Sequence, residues 1–132
     1  MANTKKLKIL LVEDDPLLGE LFQGRLVKEG YDVTRADVGE DVVKLLKNMQ
    51  PDLILLDLCL PKESGFEIMQ EINSRTDIHK APIIVISNLD QPSDVQRAKE
   101  LGAKEYFVKT KIRHTELLDK IRDFILGEEV PE

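Results

Sequence analysis

The sequence predicts a doubly wound α/β domain, a single parallel sheet with helices packed on both faces. Three observations carry that prediction. Continuous apolar runs without alternation (LKILLV, LILL, IIVI) suit strands covered on both sides. Stretches of helical periodicity separate them, so strand and helix alternate five times over, which implies a parallel sheet with right-handed crossovers. Most of the strand candidates also run straight into a charged or hydroxyl residue, as at the carboxyl edge where open α/β sheets build their sites.

Taken in order, Leu7–Val12 is the first strand, ended by the acids Glu13, Asp14 and Asp15. Asp15-Pro16 reads as an N-cap with proline at the first helical position. Leu18, Phe22 and Leu26, with Leu21 beside them, mark the face of a helix that stops near Gly30. Tyr31–Ala36 alternates and suits a more exposed strand. A helix follows from about Gly39 to Met49, with Val42, Leu45, Leu46 and Met49 at helical spacing, and Pro51-Asp52 breaks it. Leu53, Ile54, Leu55 and Leu56 form the central strand and lead into Asp57. A loop from Leu58 to Glu63 reaches Ser64 and Gly65, where a third helix begins with Phe66, Met69 and Ile72 on one face. After a polar stretch to Pro82, Ile83–Ile86 ends in Ser87. Ser93-Asp94-Val95-Gln96 reads as a capping box for a helix that ends at Leu101-Gly102. Glu105–Val108 is the fifth strand and ends in Lys109. The last helix runs from about Thr115 to Leu126, with Leu118, Ile121 and Ile125 inward, and stops at Gly127.

Composition narrows the functional classes. A chain of 132 residues supports one domain with a real core, and 42% hydrophobic with 33% charged residues argues against disorder. No apolar stretch approaches the ~20 residues that span a bilayer, and the N-terminus lacks a signal-peptide pattern. The single cysteine, Cys59, excludes an intramolecular disulfide framework and suits a reducing cytoplasm. A net charge of −6 and the lack of tryptophan disfavour direct nucleic-acid binding. The expectation is a cytoplasmic domain with neither nucleic acid nor membrane as a direct partner.

The strand ends, set side by side, are Glu13-Asp14 after the first, Asp57 after the third, Ser87 after the fourth and Lys109 after the fifth. Each alone has a plain reading as a solvated strand-end residue. Together they place three carboxylates at one edge, which repel unless a cation joins them. A hard oxygen-seeking ion such as Mg²⁺ (or Mn²⁺) resolves that repulsion. An ammonium and a hydroxyl facing the same place supply what a phosphoryl group needs.

These motifs closely resemble the receiver domain of two-component response regulators: the acidic pair in LLVEDDP, LLDLCLP with its aspartate, Pro61 and Gly65, the hydroxyl in VISN and the lysine in YFVKT. The likeness runs from about Lys8 to Leu126. It implies a flavodoxin-like sheet of order 2-1-3-4-5 with five helices, a receiver domain over residues 1–127, and an acidic tail or linker start over 128–132. It also implies that Asp57 accepts a phosphoryl group from a sensor histidine kinase or a histidine phosphotransfer protein. Asp14 and Glu13, the second largely through water, Asp57 and the backbone carbonyl of Cys59 would hold the Mg²⁺. Ser87 and Lys109 would bind the phosphoryl group, and Ser87 with Tyr106 would switch the surface read by an output protein or a missing output domain. Apart from its own Mg²⁺-dependent phosphorylation and dephosphorylation, such a chain is no enzyme. It would be a monomer or a weak homodimer.

Several positions depart from the family pattern. Thr110 stands where a proline usually follows the lysine, so the Lys109-Thr110 bond is expected to be either a strained cis peptide or trans with a rebuilt loop. Asn88 replaces a small residue. Cys59 and Leu89 occupy positions that tune the phosphoryl lifetime, and neither positions water well, which implies slow hydrolysis. The alternatives are a pseudo-receiver acting without phosphorylation, a cofactor-binding flavodoxin-like domain and an aspartate phosphohydrolase. The acids at the first strand end would repel a cofactor phosphate, and Cys59 stands where the hydrolase needs an acid/base.

Overall fold

The computed structural model describes residues 6–129. Its elements are β1 (Lys8–Val12), α1 (Pro16–Lys28), β2 (Asp32–Ala36), α2 (Gly39–Asn48), β3 (Leu53–Leu56), α3 (Gly65–Ser74), β4 (Ile83–Ser87), α4 (Pro92–Glu100), β5 (Ala103–Val108), a 3₁₀ turn (Lys109–Lys111) and α5 (His114–Glu129). The strands form one parallel sheet in the order β2-β1-β3-β4-β5. This is the flavodoxin-like arrangement expected from the sequence, and its order reverses at β1, between β2 and β3.

Alternation along each strand splits the core in two. Leu10, Val12, Ile54, Leu56 and Val85 face one side with Val42, Leu46, Met69 and Ile72 of α2 and α3 and Ala98 of α4. Ile9, Leu11, Leu53, Leu55, Ile84 and Ile86 face the other, with Phe22 and Leu26 of α1 and Leu117, Ile121 and Ile125 of α5. All four residues of β3 are fully buried, which is why its sequence shows no alternation. Every hydrophobic side chain of the central strands therefore serves packing, and the polar residues just beyond them are left to define the edge.

Local signals set most boundaries. The Asp15 side chain accepts from the backbone N–H of Leu17 and Leu18, capping α1 ahead of Pro16. Ser64 and Glu67 form a reciprocal capping box at the start of α3. Gly30 and Gly102 end α1 and α4 at φ of 101° and 105°, a backbone region glycine enters without steric cost.

Four expectations are corrected. The capping box over Ser93–Gln96 does not form: Pro92, at the first helical position, starts α4 earlier, with Gln91 as its N-cap and Ser93 inside the first turn. Helix α5 does not stop at Gly127 but continues to Glu129, so Glu128 and Glu129 of the expected tail are helical, and residues 130–132 lie outside the described set. Leu117, not named from the sequence, joins Ile121 and Ile125 on the buried face of α5, and Leu118 packs against the same cluster only half-buried. Leu21 is exposed, because α1 turns only the Leu18, Phe22 and Leu26 stripe inward.

Candidate functional site

The carboxyl edge of the sheet is built by β1, β3 and the turn after β5. Glu13 is fixed by its own backbone, whose N–H continues the ladder to the Ala36 carbonyl. Asp57 is fixed likewise, its N–H donating to the Val12 carbonyl at 3.1 Å. Both residues are buried. Lys109 spans the gap from the far side, with Nζ 2.7 Å from Glu13 Oε1 and 2.8 Å from Asp57 Oδ2. The other carboxylate oxygens are also engaged. Cys59 N–H donates to Asp57 Oδ1 at 3.0 Å, and Asp15 N–H donates to Glu13 Oε2 at 3.2 Å.

Burial disfavours charge on Glu13 and pushes its carboxyl above the usual value, against the pull of the Lys109 ammonium. Burial also opposes the charge on Lys109, but its hydrogen bonds to Asp57 and Glu13 prevail and hold its pKa above the ordinary lysine value. The site thus keeps one cation tightly among its acids.

Asp14 completes a cluster with Glu13 and Asp57 in which one oxygen from each lies within 4.8 Å of the others. That span is close to the ~4.2 Å between opposite ligands of an octahedral Mg²⁺. An all-carboxylate donor set in a partly buried setting fits such an ion and does not fit a softer one.

Lys109 holds this position with a trans bond to Thr110, there being no cis peptide among the described residues. The rebuilt-loop alternative is the one adopted, as the 3₁₀ turn Lys109–Lys111, and the lysine still faces Asp57. Behind it lies a cavity of about 210 Å³ lined by apolar residues of α1, β3 and α5, with Asn88 and Thr110 also in its wall.

Ser87 is fully buried and is not hydrogen-bonded to Asp57 or Lys109. Its Oγ accepts from Leu89 N–H at 3.3 Å and sits 3.9 Å from Cys59 Sγ. Tyr106 turns toward the same loop and its hydroxyl donates to the Leu89 carbonyl at 2.7 Å. Burial, followed by the nearby Asp94 and Cys59, pushes the Tyr106 phenol up to about 12. The structure therefore joins Glu13, Asp14, Asp57 and Lys109 directly, while Ser87, Cys59, Leu89 and Tyr106 form an adjoining group.

The turn at Lys62 and the reach of Arg35 were not singled out from the sequence, whereas Gly65 was. Lys62 has φ 69° and Glu63 N–H donates to the Pro61 carbonyl, a tight three-residue turn beyond Asp57. Gly65 packs so closely that an added Cβ would lie 2.7 Å from the Asp57 carbonyl oxygen and from Leu58 Cα. The Pro-x-x-x-Gly spacing was the signal for that approach. Arg35 also reaches the acidic loop, from β2.

The chain matches the family described as response regulator receiver domain over residues 9–122. It is 37% identical over 105 residues to the probable transcriptional regulator ycf27 of Porphyridium aerugineum, covering 80% of this chain and 42% of that protein. It is also 37% identical over 106 residues to the gliding motility regulatory protein of Myxococcus xanthus, covering 80% of this chain and 14% of that protein. The match thus spans less than half the length of either relative. Its fold superposes on the phosphorylated cyanobacterial phytochrome response regulator RcpA with a TM-score of 0.81 and 28% identity, covering 96% of this chain and 98% of the other.

Proposed function

The chain belongs to the response regulator receiver-domain family, and from that premise we propose that it is a signalling receiver phosphorylated on Asp57 by a phosphohistidine on a partner protein. The observation that carries this reading is the junction of Asp57 with Lys109 at 2.8 Å beside the Glu13–Asp14 pair. Asp57 ends the central strand and its Oδ1 is held by Cys59 N–H, so the carboxylate is oriented before any donor arrives. It is the nucleophile: a carboxylate oxygen bonds to the incoming phosphorus and the histidine nitrogen leaves. Lys109 neutralises charge on the transferred group, and the Ser87 hydroxyl donates its own proton to it. Phosphoryl transfer asks for such positioning and charge neutralisation more than for covalent work by several side chains.

Glu13, Asp14 and Asp57, with the carbonyl of Cys59, would hold Mg²⁺ (Mn²⁺ as a substitute). When bound, that ion supplies charge neutralisation to the phosphoryl oxygens. The aspartyl phosphate is labile, so the signal resets. Ser87 and Tyr106 form the switch, since both already act on Leu89, one through its N–H and the other through its carbonyl. A partner protein or further domain would read the surface of α4, β5 and α5.

Incubation with Mg²⁺ and acetyl phosphate, followed by intact-mass measurement, tests the reading. A gain of one phosphoryl group that Asp57→Ala and EDTA both abolish supports it. No gain in the parent protein transfers the case to a receiver that signals by binding alone.

A further inference from the structure

We propose that Arg35 is a positioning residue for the acidic loop, and that Gly19 is glycine in order to seat it. Arg35 lies on β2 in register with Leu11, and strand alternation turns it, with Val33, toward the face covered by α1. There its Nε donates to the Glu13 carbonyl at 3.3 Å and its Nη2 to the Asp15 carbonyl at 3.4 Å. These two carbonyls flank Asp14. One side chain therefore clamps the backbone on either side of a cluster residue, and the backbone of a second, Glu13, is itself one of the clamped groups.

The guanidinium crosses directly over Gly19 in the first half of α1. A Cβ at that position would lie 2.4 Å from Arg35 Nε, 2.6 Å from Cζ and 2.9 Å from Nη2. Glycine inside a helix is unfavourable relative to alanine, so a buried mid-helix glycine calls for a local reason. The seat for Arg35 is that reason. Because the obstructed atoms are the end of a flexible side chain, an added methyl group evicts the arginine rather than breaking the helix. Gly19→Ala thus removes the clamp without touching Arg35 itself.

The clamp acts on order in the loop. Asp15 N–H donates to Glu13 Oε2, so its exchange with solvent reports directly on whether the Glu13 carboxylate is held. The clamp also prepares Glu13 and Asp14 for a divalent ion, a part of the inference that rests on the metal site proposed above. Loss of the positive charge on Arg35 would by itself draw a cation in. Weaker metal binding in Arg35→Ala therefore isolates the clamp from the field.

The experiment is a cycle of Gly19→Ala, Arg35→Ala and the double variant in the full chain. The readouts are Asp15 amide exchange in metal-free protein, Mn²⁺ affinity from the free-ion paramagnetic resonance signal, and the urea midpoint. Each single variant is expected to speed Asp15 exchange and weaken Mn²⁺ about fivefold, the worth of a modest hydrogen-bond loss. The double variant should be no worse than either single one, because both remove the same clamp. In the Arg35→Ala background, Gly19→Ala should raise the urea midpoint by restoring helix propensity. Unchanged Asp15 exchange in both single variants, or effects that multiply in the double variant, overturns the proposal. If the parent fails to bind Mn²⁺, the metal reading falls, and the exchange cycle still decides the clamp.

Discussion

Replacing Lys109 with methionine should destabilise the metal-free protein by about 3 kcal/mol at pH 7, and the loss should depend on both pH and Mg²⁺. The ammonium is 17% exposed and touches two carboxylates that are 7% and 6% exposed. Without it, Glu13 and Asp57, whose oxygens lie within 4.8 Å, repel by about 3.5 kcal/mol at an effective dielectric of ~20. Protonating Glu13 instead, from an ordinary value of 4.5, costs about 3.4 kcal/mol at pH 7 and only about 0.7 kcal/mol at pH 5. The two routes agree near neutrality, and the second sets the sign. The variant's deficit shrinks as pH falls, because one acid then carries the proton that relieves the pair. Mg²⁺ should close most of the gap as well, by taking the ammonium's place and binding the variant more tightly than the parent. With no tryptophan in the chain, urea unfolding is followed by far-UV circular dichroism, in EDTA and in saturating Mg²⁺, at pH 5 and pH 7. A deficit below about 1 kcal/mol at pH 7 in EDTA, or one indifferent to both Mg²⁺ and pH, refutes the reasoning.

Gly65→Ala should cost about 1–3 kcal/mol in urea unfolding, since its methyl group would meet backbone atoms of Asp57 and Leu58 that cannot swing aside. Tyr106→Phe removes the bond to the Leu89 carbonyl and should cost about 1 kcal/mol at pH 7. That difference should diminish as pH rises from 10 toward 12: the folded phenol keeps its proton where the unfolded one has lost it, so Tyr106 takes stability from the parent over that window and the variant is spared this loss. Cys59→Asn with Leu89→Glu should shorten the lifetime of the phosphoryl group, measured as mass loss after the donor is removed, because both new side chains can position water. A longer lifetime in the double variant would contradict the assignment of these positions.

The sheet was legible because its interior strands are saturated with apolar residues and each stops at a polar one. β3 and β4 could be delimited almost to the residue from LILL and IIVI. Strand order was not legible from periodicity and entered through the family resemblance. Boundaries failed where two local signals competed: Pro92 and Ser93 both mark helix starts, and proline at the first position prevailed. Gly127, a stop signal by composition, lies inside α5. Convergence of Glu13, Asp14, Asp57 and Lys109 followed from topology alone, since parallel strands bring their carboxyl ends to one edge. Arg35 was hidden because its partners are main-chain carbonyls, which leave no mark in a residue pattern. Its only trace in the sequence was a glycine inside a helix, at Gly19.

The most direct test of the account locates the acyl phosphate itself. Borohydride reduction of protein treated with Mg²⁺ and acetyl phosphate converts an aspartyl phosphate to homoserine, and peptide mass mapping then identifies the residue. The account requires homoserine at position 57 and nowhere else, with none formed in EDTA. Homoserine at Asp14, or at no position despite a phosphoryl gain in intact mass, would contradict the assignment of Asp57 as the acceptor.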